Sequence, residues 1–320
     1  MKPAVLITTR IADDIVRNLE RHASVIQGGA EAKAMTRDKV LARIAEVDAI
    51  INQNEVKVDA ELLGKAPRLK IVANATAGFD NMQVVAMREK RVWGTNAPDA
   101  YAADTANHTI ALMLAVTRRL IEADQYVRSG RWKQDGWMPG GRWDGMSFTD
   151  KKLGLIGYGH IAQHVARRAE AFGMSVSHHT RSGKGEPGWL PLDDILRQSD
   201  VISLHCPLNE STRHLINADT LTRMKHGAIL INVSRGPVAD VSALVAALKS
   251  GQLAGADLDV FEFEPDVPAE LIGMQNVVLS PHMGGCTREA RENAFRVCAD
   301  NVIRVLSGET PKTPVFAMPS

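Results

Sequence analysis

Apolar and polar positions change period repeatedly along this chain. Short apolar runs at Ala4–Thr8, Ser24–Gln27, Asp48–Asn52, Leu69–Asn74 and Val92–Asn96 read as strands. Between them Ile11–Arg21, Arg37–Glu46 and Gln83–Lys90 repeat apolar residues at helical spacing. Strands alternating with helices over short connections predict a parallel sheet covered on both faces. A long helical pattern then runs from Ala100 to Arg128 (Ile110, Leu114, Leu120, Ile121), with Pro98 just ahead of it where the strand must stop. A second alternating block places strands at Lys152–Ile156, Met174–His178, Val201–Leu204, Ala228–Asn232, Gly255–Asp259 and Val277–Leu279. Six strands with helices between them match a doubly wound dinucleotide-binding domain. Thr287–Leu306 is one long helical pattern, followed by a polar tail with Pro311, Pro314 and Pro319.

Composition narrows the classes. The 320 residues suffice for two ordinary domains, and 45% hydrophobic with 23% charged residues suits a packed core. A net charge of +1 without a basic run argues against nucleic acid. The apolar Ala4–Thr8 gives way at once to Asp13, Asp14, Arg17 and Glu20, so neither a signal peptide nor a membrane span is expected. Cys206, Cys286 and Cys298 have no paired or metal-ligand spacing, which fits reduced thiols in a cytoplasmic protein and no metal site. Residues 130–146 read as a loop, yet hold Trp132, Trp137 and Trp143, three of the five tryptophans. An interface, a substrate-closing role and a local packing cluster all fit such a concentration.

The most informative stretch is Lys152–Ala162. An apolar run turns through Gly157 and Gly159 and enters a helical pattern. Strand, tight turn and helix start place a glycine where a Cβ is forbidden, and aim orphan amides and the positive helix end at a pyrophosphate. Ala162 stands where a third glycine is usual and is small enough for close helix–strand packing. An NAD-binding unit carries an acid about 20 residues on, for the ribose hydroxyls. Here the second strand runs into Thr180-Arg181-Ser182, a cation and a hydroxyl that suit a 2′-phosphate. NADP(H) is therefore expected, with NAD(H) possible and a solvated Arg181 as the plainer alternative.

Three reactive residues follow three successive strand ends: Arg235 after Ala228–Asn232, Glu264 after Gly255–Asp259, and His282 after Val277–Leu279. In a doubly wound sheet all three reach the face where ligands bind. Reduction of a 2-oxo acid needs a hydride at the carbonyl carbon and a proton at its oxygen. His282 is the expected proton donor, Glu264 keeps its imidazolium form populated, and Arg235 offers a planar fork to the carboxylate. The small-residue loop Thr76-Ala77-Gly78 is a plain turn or part of the carboxylate site. Cys206, in His205-Cys206-Pro207, has no base or oxyanion motif beside it and suits a cofactor contact. Asp259 is expected to contact the ribose or to order the site.

Together, Gly78-Phe79-Asp80-Asn81, Leu155–Ala162, His205-Cys206-Pro207-Leu208, Asn232–Asp240, Ala256–Pro265 and Pro281–Thr287 resemble the D-isomer-specific 2-hydroxyacid dehydrogenase family. Within it they are most similar to the glyoxylate/hydroxypyruvate reductases. The resemblance implies an α/β fold of two doubly wound parallel-sheet domains, a flavodoxin-like substrate domain and a Rossmann cofactor domain. Residues 1–99 would bind substrate, 100–288 would form the inserted cofactor domain, and 289–320 would return to the first. It implies cofactor contacts at Thr105, Gly157, Gly159, His160, Ile161, Arg181, Ser182, Cys206, Pro207, Thr212, Val233, Ser234, Asp259 and Gly284. Substrate contacts would come from Thr76, Ala77, Gly78, Arg235 and His282. A homodimer through the cofactor domain is implied too, with Trp137, in Gly136-Trp137-Met138-Pro139, closing the partner's substrate pocket. Pro237 and Asn107 depart from the family pattern, and no appended regulatory domain is expected. The activity implied is NAD(P)H-dependent reduction of glyoxylate or hydroxypyruvate to the D-2-hydroxy acid. Reduction of a bulkier acid (2-ketogluconate or an aryl pyruvate) and a cofactor-sensing binding protein remain as alternatives.

Overall fold

A computed structural model describes residues 2–28, 33–137 and 140–318. The chain divides into two compact units, residues 1–101 with 286–320, and residues 102–285.

The first unit is built on five parallel strands: β1 (Ala4–Ile7), β2 (Ser24–Gln27), β3 (Ala49–Asn52), β4 (Ile71–Asn74) and β5 (Trp93–Thr95). Their order is β2-β1-β3-β4-β5, the flavodoxin-like winding. Because side chains alternate along a strand, Val5, Ile7, Ile51 and Ala73 bury against one helix layer and Leu6, Ile50 and Val72 against another. Helices Asp13–Glu20 and Arg288–Leu306 cover the first face. A side chain such as Ile51, fully buried, contributes about 1.5–3 kcal/mol. The Thr287 hydroxyl caps the last helix by accepting from the Ala290 amide at 3.1 Å.

The second unit holds β6 (Lys152–Ile156), β7 (Ser175–His179), β8 (Val201–Leu204), β9 (Ala228–Asn232), β10 (Leu253–Leu258) and β11 (Val277–Leu279), all parallel. Their order is β11-β10-β9-β8-β6-β7. Winding reverses between β6 and β8, so the crevice expected to take a ligand opens at the carboxyl ends of these two strands. A lone parallel bridge between His178 and Trp189 extends the sheet beyond β7.

The long helix expected over Ala100–Arg128 is two helices, Ala102–Thr117 and Leu120–Arg128. Arg119 takes a left-handed backbone (φ 53°) between them, and its guanidinium bonds Glu122 at 2.9 Å. The turn leaves Leu120 57% and Ile121 45% exposed, although the apolar pattern runs on through them. The segment expected to be loop opens with a further short helix, Arg131–Asp135.

Candidate active site

The loops after β9, β10 and β11 form one hydrogen-bonded assembly. The Glu264 carboxylate accepts from His282 Nδ1 at 2.9 Å and from the Phe261 amide at 2.9 Å. With Nδ1–H committed to the carboxylate, Nε2 is the nitrogen left to face a ligand. The hydrogen bond to Glu264 raises the His282 pKa above its ordinary value, against partial burial and the nearby Arg235 charge. Partial burial would push Glu264 up, but the bonds from His282 and the Phe261 amide hold it below the usual carboxylate range.

Asp259 fixes the position of His282. Its backbone carbonyl accepts the His282 amide at 2.8 Å. Its carboxylate accepts from the Ser280 hydroxyl at 2.6 Å and from the amides of Met283 and Gly284, each at 2.8 Å. His282 thereby holds a left-handed backbone (φ 51°), a conformation that costs about 1–3 kcal/mol and persists only where surroundings impose it. Asp259 is 2% exposed, and both of its carboxylate oxygens are hydrogen-bonded within this loop. His108, from helix Ala102–Thr117, reaches the same carboxylate at 3.4 Å and Ser280 Oγ at 3.2 Å. Sequence reasoning missed His108; its spacing of three from Thr105 on one helix was the available signal.

Arg235 donates from Nη1 to the Ser234 carbonyl at 2.8 Å, and its own carbonyl accepts from Asn232 Nδ2 at 3.1 Å. Asn232 Oδ1 takes the amide and hydroxyl of Ser234, at 3.1 and 3.0 Å. The next residue must be glycine: a Cβ on Gly236 would lie 1.9 Å from the Phe261 carbonyl. That close approach ties the Arg235 loop to the Glu264 loop.

At the sheet's switch point Gly157 has φ 91°, and a Cβ there would sit 2.6 Å from the Cys206 amide nitrogen and the His205 carbonyl carbon. Around Gly159 no atom lies within 4 Å of the Cβ position, so a ligand has room. The 12-residue helix His160–Ala171 begins here, presenting its orphan amides. A dinucleotide's pyrophosphate fits this cradle, with Gly157, Gly159, His160 and Ile161 as the residues to hold it. Arg181 and Ser182 are exposed beyond β7, and Arg181 has no ion-pair partner among the described residues. Thr212 lies on the loop after β8, its hydroxyl bonded to the Pro207 carbonyl at 2.6 Å. Thr105, Cys206, Val233 and Ser234 are buried. Burial pushes the Cys206 thiol up to about 11 and the neighbouring His205 down to about 3, so neither is a nucleophile or base at neutral pH.

One group has no evident place in this chemistry. Asp257 on β10 is fully buried, neither carboxylate oxygen has a hydrogen-bond partner, and burial with the Asp259 charge pushes it up to about 8. The cavity of about 300 Å³ bounded by Val116, Arg119, Ala254, Asn276 and Val278 lies at the amino-terminal edge of β10 and β11, the end opposite His282.

In the first unit the loop after β4 shows a sorted backbone. The carbonyl of Ala75 accepts from the Tyr101 hydroxyl (2.8 Å) and that of Thr76 from the Ala97 amide (2.9 Å). The carbonyl of Ala77 accepts from Asn96 Nδ2 (2.6 Å) and that of Gly78 from the Thr76 hydroxyl (2.9 Å). The amides of Thr76, Ala77 and Gly78 face no acceptor among the described residues. Such a row of unused N–H groups suits an anion.

The tryptophans of residues 130–146 divide. Trp143 packs on Tyr126 (centroids 5.2 Å) under Arg119 and Arg142, whereas Trp132 is 49% and Trp137 82% exposed. Met138 and Pro139, beside Trp137, lie outside the described residues. The described residues contain no cluster of three or more metal-ligating side chains, and no helix long and apolar enough to cross a membrane.

The model of the D-isomer specific 2-hydroxyacid dehydrogenase NAD binding domain matches residues 110–284. A glyoxylate reductase of Thermococcus onnurineus is 42% identical over 323 residues, covering 98% of this chain and 96% of that one. A Thermus thermophilus protein superposes with a TM-score of 0.89 at 38% identity, over 98% of this chain and 100% of that one. An NADPH-dependent glyoxylate/hydroxypyruvate reductase of Sinorhizobium meliloti, solved with NADP and malonate, gives 0.87 at 32%, over 100% of both chains.

Proposed function

The chain belongs to the D-isomer specific 2-hydroxyacid dehydrogenase family, and within it we propose a glyoxylate/hydroxypyruvate reductase that uses NADPH in preference to NADH. The observation that carries this reading is the His282–Glu264 pair at 2.9 Å, one strand end away from Arg235. When bound, the nicotinamide supplies the hydride. Arg235 takes the substrate carboxylate through its planar guanidinium and polarises the adjacent carbonyl. His282 delivers a proton from Nε2 to the carbonyl oxygen, and Glu264 stabilises the imidazolium until that transfer. Within the first unit, the unused amides of Thr76 to Gly78 suit an acid's carboxylate. The curated relative at 42% identity is a glyoxylate reductase, which supports a small acid over the bulkier ones.

Arg181 supports the NADPH preference, since its position beyond β7 suits a 2′-phosphate and no carboxylate stands in Thr180-Arg181-Ser182 to repel one. Leu120, Ile121, Val127, Trp132 and Trp137 are large apolar side chains exposed on the second unit. They support a homodimer through that unit, with Trp137 reaching the partner's substrate site. Three cysteines outside any disulfide fit a reducing compartment, and a cytoplasmic location is proposed on that ground. The test is a panel of 2-oxo acids with both cofactors. The expected result is the highest kcat/KM for glyoxylate or hydroxypyruvate with NADPH; turnover of neither acid with either cofactor overturns the assignment.

A further inference from the structure

The sorted backbone of the loop after β4 is held from the far end of the sequence. Asn96, whose side chain secures the Ala77 carbonyl, is itself gripped by Thr313. The Thr313 hydroxyl donates to the Asn96 carbonyl at 2.5 Å, and the Asn96 amide donates to the Thr313 carbonyl at 3.3 Å. Thr313 in turn rests on Asn301, 1% exposed in helix Arg288–Leu306. Asn301 Nδ2 donates to the Thr313 hydroxyl at 2.9 Å, and its Oδ1 accepts the amides of Lys312 and Thr313 at 2.7 and 3.3 Å. The tail is docked further by the Val315 amide on the Gly94 carbonyl (3.0 Å) and by Phe316, 6% exposed.

A trans peptide is planar, with its C=O and N–H pointing in opposite directions. Fixing the Ala77 carbonyl therefore fixes the Gly78 amide, and fixing the Thr76 carbonyl through Ala97 fixes the Ala77 amide. Residues 96 and 97 hold both carbonyls, and Thr313 holds residue 96.

We propose that Thr313 and Asn301 are positioning residues for 2-oxo acid binding, acting through Asn96 to aim the amides of Ala77 and Gly78 at the substrate carboxylate. This rests on the reading that the loop Thr76–Gly78 takes that carboxylate. A purely structural tail would affect stability alone, whereas a positioning tail affects recognition of the charged end of the substrate.

The experiment compares the full-length wild type with Thr313→Val and Thr313→Ser, with Thr313→Ala as the second variant should valine not fold. KM and kcat are measured for glyoxylate and for its uncharged amide at saturating NADPH, alongside the NADPH Kd and Tm. Thr313→Val should raise the glyoxylate KM about 5- to 10-fold, the worth of one hydrogen bond. Its kcat should stay within about 2-fold, and the NADPH Kd and the amide's KM should be unmoved. Thr313→Ser should restore the glyoxylate KM. If Thr313→Val lowers Tm while glyoxylate and amide KM stay fixed or rise together, the tail is structural and the proposal is overturned. A wild type that takes acid and amide alike overturns the carboxylate reading of the loop and the inference with it. A preference for the acid that Thr313→Val leaves intact overturns the inference alone.

Discussion

At the scale of single residues, His282 and Asp257 are two titratable groups shifted for opposite reasons. His282 is raised by a carboxylate partner, so its acid form persists to higher pH than an isolated imidazole's. Replacing Glu264 by Gln removes that partner. The alkaline limb of the kcat–pH profile for reduction should then move to lower pH, and an unchanged limb would count against the pairing. Asp257 is raised by burial beside Asp259, from 3.8 to about 8. The folded state keeps a proton there that the unfolded chain releases, so this group destabilises the fold increasingly as pH rises from 3.8 to about 8 and no further above it. The cost is at most about 1.4 kcal/mol per pH unit across that window. Asp257→Ala should therefore exceed wild type in urea midpoint by a margin that grows from pH 5.5 to pH 8. A margin that is constant or shrinks would show that the carboxyl is not held protonated. The orphaned Asp257 was not legible in the sequence, and His108 offered only its spacing of three from Thr105. A helix histidine and a strand aspartate acquire these surroundings only when Ala102–Thr117 packs on β10.

At the scale of elements, β7 carries the cofactor argument, because it delivers Arg181 at its carboxyl end. A charge-assisted hydrogen bond to a 2′-phosphate is worth about 1.5–3 kcal/mol. Arg181→Ala should raise the KM for NADPH by roughly 10- to 150-fold and barely alter that for NADH. Equal weakening of both would return Arg181 to a solvated loop charge. Most strands and helices were readable because apolar period and burial coincide: Ala49–Asn52 and Ala228–Asn232 are buried throughout, and both stand out as apolar runs. The break at Arg119 was not readable, since Leu120 and Ile121 continue an apolar pattern whose burial stops at the turn. Helix Ala60–Gly64, capped by Asp59, is too short to show a period. Strand order is also invisible in a pattern of periods, because it is fixed by which crossovers pack.

At the scale of the whole molecule, the exposed apolar side chains at Leu120, Ile121, Val127, Trp132 and Trp137 bear on assembly, separately from the reductase chemistry. Sedimentation of the native enzyme should give a dimer, and Ile121→Glu should shift it toward monomer; a wild-type monomer would remove the proposed role of Trp137. The central claim, that His282 with Glu264 and Arg235 reduces a small 2-oxo acid, is tested most directly by glyoxylate reduction with NADPH in wild type and His282→Gln. The variant should bind NADPH within about 2-fold of wild type, by fluorescence titration, and lose roughly 10²- to 10⁴-fold in kcat at neutral pH. Near-full turnover by His282→Gln would contradict it.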